Sequence, residues 1–218
     1  MELLDRLRSH FTHSGIEAYL HGGFVRDTLL RRPSNDIDLM IGGDSKEQAR
    51  GIADAFNGTL VALDDGRGIY RVAAKTLNGE RWTVDVATLY GSIEDDLRQR
   101  DFTIDALAVL LTDTSLPPDE WPIIDPTRGL DDLRGETLRL TGPNALLDDP
   151  LRLIRAVRIA AKTEFEIDAK AADAIRERVN LLSMVSVERV REELLTILSL
   201  PDVWRSVKLL DTLGLIDE

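Results

Sequence analysis

The run Leu20-His21-Gly22-Gly23-Phe24-Val25-Arg26-Asp27, followed nine residues on by Asp36-Ile37-Asp38, narrows the folds open to this chain more than any other stretch. An apolar lead-in, a glycine pair and the spacing of Phe24, Leu29 and Leu30 predict a strand, a tight turn and a helix whose N-terminus faces the turn. Such a turn suits a phosphate. Glycine lets backbone N–H groups approach an anion without a side chain in the way, and the helix N-terminus adds unpaired donors and a partial positive charge. Asn35 to Ile41 predicts a second strand, whose period of two sends Asp36 and Asp38 to one face. Two carboxylates on a rigid face suit a divalent metal. Mg2+ takes a few carboxylates and fills its other positions with water and phosphate oxygens, so a phosphate cradle beside this pair points to phosphoryl or nucleotidyl transfer. Each part alone is ordinary, the glycines as a turn and the Asp-x-Asp as a solvated strand end; their order is what is informative.

The rest of the first half predicts a strand-rich sheet with flanking helices. Leu3, Leu4, Leu7 and Phe11 mark an amphipathic N-terminal helix to which no chemistry is assigned, and His21 is as readily a structural histidine as a nucleotide contact. A helix is expected over Ser45 to Phe56, stopped by Asn57-Gly58, and strands over residues 59–63, 68–74 and 81–88, with turns at Asp64-Asp65-Gly66 and Asn78-Gly79. The last strand holds Thr83-Val84-Asp85-Val86-Ala87. A carboxylate among apolar residues is costly unless paired or metal-bound, which makes Asp85 a candidate third acid; the alternative is an outward Asp on an edge strand.

Beyond Leu146 the pattern is almost continuously helical, so a domain boundary is expected near residue 142. Asp149, Arg152, Arg155 and Arg158 recur every three residues, with Lys162 beyond, and are expected on one side of a helix that opens with an Asp cap and Pro150, while Leu153, Ile154, Val157 and Ala161 cover the other side. Further helices are expected over residues 169–178, from Ser186 and over 203–210, ending at Gly214. The formal charge of −12 argues against a broadly basic nucleic-acid surface, so any RNA contact must be local, and this arginine ridge is the candidate. With 218 residues, 43% hydrophobic, the chain can bury a real core. No apolar run approaches a membrane span, Met1 to Arg6 lacks the pattern of a signal peptide, and the absence of cysteine makes a cytoplasmic setting the expectation.

The linked Gly-Gly-x-Val-Arg-Asp and Asp-x-Asp pattern resembles the first motif of the class II tRNA nucleotidyltransferase (CCA-adding enzyme) and bacterial poly(A) polymerase family, within the polymerase-β-like nucleotidyltransferases. Four further stretches follow in the family's order: Arg100-Asp101-Phe102-Thr103-Ile104-Asp105-Ala106, Asp125-Pro126 to Leu133, Asp148-Asp149-Pro150-Leu151-Arg152, and Glu188-Arg189 to Leu194. The resemblance implies an α+β fold, with a polymerase-β-like head, a mixed sheet flanked by helices, over residues 1–142 and an all-α neck over 143–218. It implies Mg2+-dependent transfer of a nucleotide from CTP or ATP to the 3′ end of tRNA or another RNA, with release of pyrophosphate. Asp36 and Asp38 would hold two Mg2+ ions, with Asp85 helping to lower the pKa of the attacking hydroxyl. Gly22, Gly23 and Arg26 would hold the triphosphate, Arg100 and Asp101 the sugar end, and Asp149 with Arg152 the base, supported by Arg155 and Arg158. The stretch at Asp125 to Leu133 is read as a structural joint, and Glu188-Arg189 to Leu194 as a brace of the neck helices through ion pairs, outside the chemistry.

Three departures qualify the match. Gln99 stands where the family has a first Arg, and Asp105 where it has Asn. The flexible segment that members insert after the strand with the third acid is missing, for Leu89-Tyr90-Gly91-Ser92 connects directly. That segment is associated with the switch from cytidine to adenosine, so its absence tilts the expectation toward CC addition over A, full CCA or poly(A) addition. Family members also continue into body and tail domains that grip tRNA, which leaves a piece of a longer protein or a minimal member needing a partner protein. A small-molecule nucleotidyltransferase and a non-catalytic RNA-binding relic are the rival classes.

Overall fold

The computed structural model describes residues 2–75 and 79–216; Asn78 of the expected Asn78-Gly79 turn lies outside the described residues. Packing divides the chain into two compact units, Met1–Leu97 with Asp105–Pro126, and Arg98–Ile104 with Thr127–Glu218. No helix among the described residues is long and apolar enough to cross a membrane.

The first unit is built on a six-stranded mixed sheet. Its elements are α1 (Glu2–Ser14), β1 (Ala18–His21), α2 (Gly22–Leu29), β2 (Asp36–Ile41), α3 (Ser45–Phe56), β3 (Thr59–Asp64), β4 (Ile69–Lys75), β5 (Arg81–Thr88), α4 (Ile93–Arg98, which ends at the unit's edge) and β6 (Ala108–Leu110), with strand order β3-β4-β5-β2-β1-β6. Only β2 and β5 run parallel; the other neighbours are antiparallel. Val109, Leu20, Leu39, Val86 and Tyr70 are successive partners along one row across five strands, and none is more than 4% exposed. That row is the core face. Because successive side chains alternate, the neighbouring residues Asp38, Asp85 and Arg71 fall on the opposite face. The helix α3 starts where Asp44 accepts hydrogen bonds from the N–H groups of Lys46 and Glu47 at 2.9 and 3.1 Å, and stops at Asn57 in the left-handed region, φ +51°. Two elements had no counterpart in the sequence reading: β6, a short edge strand, and α4, which buries Ile93 and Leu97 with Met40, Ala106 and Ala108.

The second unit is mainly helical: α5 (Gly129–Arg134), α6 (Ala145–Asp148), α7 (Arg152–Thr163), α8 (Ala169–Arg176), α9 (Val187–Leu198) and α10 (Val203–Thr212), with a two-stranded parallel pair β7 (Thr137–Leu138) and β8 (Glu166–Ile167). It is not delimited by a single cut near residue 142. Residues 98–104 belong to it because Thr103 N–H donates to the Arg139 carbonyl at 2.9 Å, Thr141 N–H donates to the Asp101 carbonyl at 3.1 Å, and the fully buried Phe102 bridges Leu140. Pairing between segments so far apart in sequence leaves no local pattern. The Asp125 to Leu133 stretch includes α5, whose buried Asp132 accepts from Thr103 Oγ1 at 2.7 Å and from Arg139 Nε at 3.1 Å, contacts that lie inside the second unit.

The helix expected to carry Asp149 is interrupted. α6 ends at Asp148, Asp149 is extended at φ −148°, ψ 103°, and α7 begins only at Arg152. Pro150 accounts for the break, because its ring pushes the preceding residue out of the helical region. Asp149 therefore stands before the arginine face of α7 and not on it.

Candidate active site

Parallel pairing of β2 with β5 places Asp36 opposite Thr83 and Asp38 opposite Asp85, so Asp36, Asp38 and Asp85 share one face of the sheet. β5 lies between β4 and β2, which removes the edge-strand alternative for Asp85. Asp36 accepts a hydrogen bond from Thr83 Oγ1. Both oxygens of Asp85 accept from Arg71, Nε to Oδ1 and Nη2 to Oδ2, at 2.7 Å each. The Asp85 hydrogen bond holds the Arg71 guanidinium above its ordinary pKa; burial works the other way, and the charges of Asp85, Asp36 and Asp38 add to the rise.

The glycine turn meets this face. Gly22 has φ +66°, and a Cβ placed on it would lie 3.4 Å from Asp38 Oδ2. A side chain there would be strained and would crowd the carboxylate. Gly22 N–H donates to the Leu107 carbonyl at 3.1 Å, which fixes the turn, while His21, at the helix N-cap, provides no side-chain cap for α2. The first-turn N–H groups beyond Gly22 are then the donors suited to an anion. Among the described residues, no three His, Cys, Asp or Glu side chains gather as a ready-made metal site. The donor chemistry of Asp36 and Asp38 nevertheless fits Mg2+, which binds through one or two carboxylates and takes its remaining oxygens from water and substrate phosphate.

Arg26, expected at the triphosphate, is buried at 4% exposure. Its Nε donates to Asp27 Oδ1 at 2.8 Å and its Nη1 to Asp105 Oδ1. Burial alone would lower the guanidinium's pKa, but the Asp105 and Asp27 carboxylates outweigh it and raise it. Gly23 lets this group pass close by, since a Cβ there would lie 3.4 Å from Arg26 Nη2. Arg26 thus braces the turn from within, and Asp105, the residue by which the chain departs from the Asn of the resemblance, is its partner.

In the second unit the expected basic ridge is largely neutralised by partners within the unit. Arg155 Nε donates to Asp101 Oδ2 at 2.8 Å and Arg158 Nε to Glu193 Oε2 at 2.6 Å. Asp149 forms a fork with Arg189, at 3.3 and 2.8 Å, and also accepts from Leu151 N–H at 3.2 Å. Arg152 donates to the carbonyls of Gln99 and Ala145 at 2.9 Å each and of Arg100 at 3.5 Å. The Arg100 carbonyl also accepts from Thr141 Oγ1. The side chains of Asp149 and Arg152 are thus each oriented by a separate set of partners. Sequence reading missed Arg71 and Thr83 as partners of site residues, whereas the Glu188-Arg189 to Leu194 motif supplies the ion pairs expected of it, Arg189 to Asp149 and Glu193 to Arg158. Strand alternation places Arg71 on the polar face of β4, but nothing in the chain says which carboxylate it meets.

Asp101 is 5% exposed. Burial pushes its carboxyl up, yet the Arg155 charge and hydrogen bond, the Arg152 charge and the Phe102 N–H hold it below the ordinary carboxylate value. A depressed folded-state pKa adds stability above the unfolded value of about 3.9 that is lost as pH falls through the folded one. Asp101→Asn is therefore expected to be less stable than the parent at pH 7, with the gap in urea midpoint closing on acidification below about pH 4. A gap that is constant across that range would mean that Asp101 carries no such linkage.

Residues 18–139 match the poly A polymerase head domain, and residues 164–218 match the probable RNA and SrmB-binding site of polymerase A. A CC-adding tRNA nucleotidyltransferase of Geobacter sulfurreducens is 42% identical over 190 residues, 87% of this chain and 42% of that protein. A CCA-adding enzyme of Limosilactobacillus reuteri is 36% identical over 194 residues, 83% of this chain and 45% of that one. The chain thus spans less than half the length of these relatives. The fold is similar to that of a Thermotoga maritima CCA-adding enzyme complexed with tRNA, with a TM-score of 0.83 and 28% identity over 99% of this chain and 51% of that one.

Proposed function

This chain belongs to the poly A polymerase head-domain family, and we propose that it provides the nucleotidyl-transfer half of a tRNA nucleotidyltransferase that adds cytidine, and specifically CC, from CTP to an RNA 3′ end. The observation that carries the reading is the meeting of the Gly22 turn, at the uncapped start of α2, with the Asp38 carboxylate on the face shared by Asp36 and Asp85. A triphosphate needs donors and a metal in one place, and this arrangement supplies the elements of both.

Asp36 and Asp38 would hold divalent metal, Mg2+ in this reading, whose charge stabilises the triphosphate and lowers the pKa of the attacking 3′-hydroxyl. The α2 first-turn N–H groups would orient the triphosphate. Asp85, on the same face, would help to lower the pKa of the attacking hydroxyl, and Thr83 steadies Asp36. These groups lie before residue 142; Asp149 and Arg152, after it, would read the base edge, because a carboxylate offers only acceptors and a guanidinium only donors. Arg100 and Asp101 would serve the sugar end, Asp101 through the orientation it gives Arg155. Two observations favour CC addition: the direct connection Leu89–Ser92 after β5, and the CC-adding specificity of the Geobacter relative. The working setting in this reading is the cytoplasm, with CTP or ATP and tRNA as partners and with RNA grip supplied by further domains or a partner protein.

The test is primer extension with Mg2+ on tRNA ending at the discriminator base, at C or at CC, offering CTP and ATP separately. Two cytidines and no adenosine are expected. Adenosine on the CC-ending tRNA would overturn the CC specificity, and cytidine transfer only to small hydroxylated acceptors would overturn RNA as the substrate.

A further inference from the structure

Three carboxylates on one sheet face repel one another, and this face carries a fixed cation of its own. Arg71 of β4 is the direct partner of Asp85 on β5, and Asp85 is the direct partner of Asp38 on β2. Directly opposed residues point to the same side, so Arg71, Asp85 and Asp38 form one row across three strands. Arg71 grips Asp85 fork to fork, with both bonds at 2.7 Å. That grip takes a lone pair on each carboxylate oxygen and fixes the carboxylate plane. Its influence extends along the row, because the charges of Asp36 and Asp38 as well as Asp85 favour the charged guanidinium.

We propose that Arg71 is the built-in counter-ion of the acid face and competes with divalent metal for Asp85, so that the face takes one ion at Asp36 and Asp38 and admits a second only when the Arg71–Asp85 fork opens. The inference rests on the reading of Asp36 and Asp38 as metal ligands. A guanidinium beside the row repels an incoming cation and withholds a ligand from it, and both effects weaken metal binding. Arg71 is a positioning residue, since it acts through Asp85. Its side chain is 44% exposed and that of Asp85 22%, so solvent screening reduces the combined effect to about tenfold in metal affinity.

The experiment titrates the whole chain with Mn2+ alone, without nucleotide or RNA, reading free ion by electron paramagnetic resonance. The parent is expected to bind one Mn2+ per chain. Arg71→Ala is expected to bind about tenfold more tightly and to take a second ion, which Asp85→Asn in the same chain removes. Arg71→Lys, which keeps the charge and loses the fork, should fall between parent and Arg71→Ala. Arg71 lies on an exposed strand position, and a thermal melt confirms that each variant is folded before titration. Two ions on the parent, or an Arg71→Ala chain that binds Mn2+ no more tightly while Asp36→Ala abolishes binding, overturns the counter-ion role. If Asp36→Ala leaves parent-like Mn2+ binding, the metal reading itself fails and takes this inference with it.

Discussion

Asp36→Ala and Asp38→Ala are each expected to leave a folded protein that has lost the proposed nucleotide transfer. Metal-borne charge stabilisation is worth several kcal/mol in a transition state, so losing a ligand should lower the rate by at least about a thousandfold. Stability moves little, or upward. Asp36 is exposed, and removing one carboxylate from a face where Asp36, Asp38 and Asp85 lie together relieves repulsion. The measurement pairs single-turnover primer extension with thermal melting of each variant. Transfer at parent rates would sink the metal assignment, and a collapsed melt would show that these side chains hold the sheet together.

Arg26→Ala has the opposite profile, with its main effect on folding. It strips the guanidinium from Asp27 and Asp105, which are 2% and 7% exposed, and removes a buried cation that offsets the burial of both carboxylates. Breaking a buried ion pair in this way costs about 3–5 kcal/mol, a large fraction of the roughly 5–15 kcal/mol that holds a domain folded. Asp105→Asn, which restores the residue type of the resemblance, keeps a hydrogen-bond acceptor for Arg26 Nη1 and should cost only about 1 kcal/mol. Urea unfolding of both variants decides the matter. An Arg26→Ala midpoint no lower than that of Asp105→Asn would mean that the Arg26 ion pairs contribute little to folding.

Much of the first unit is legible because its signals are local. Alternation marks β4 and β5, Asp44 and Asn57 bound α3, and the glycine pair announces a turn into a helix. Even the shared face of Asp36 and Asp38 follows from a period of two. The pairing of Asp38 with Asp85 does not, because it depends on which strands become neighbours and in what register. In the second unit the spacing correctly predicts a buried stripe of Leu153, Ile154 and Val157 on α7, with Arg152, Arg155 and Arg158 on the other side, while Ala161, expected in that stripe, is only half-buried. It misplaces Asp149, where Pro150 breaks the helix, and it overstates the basic patch.

The chain by itself determined most of its elements and the ordered motifs through which it resembles its family, since these are written in short local runs of residues. Tertiary structure decided which charges of the site are paired. Whether Arg26 faces a ligand or a pair of buried carboxylates, whether Arg155 is available or bound to Asp101, and whether Asp85 stands open or gripped by Arg71 all depend on residues from 14 to 79 positions away. A guanidinium has the same pattern in sequence whether it is solvated or paired, and only the folded chain brings its carboxylate within hydrogen-bond reach.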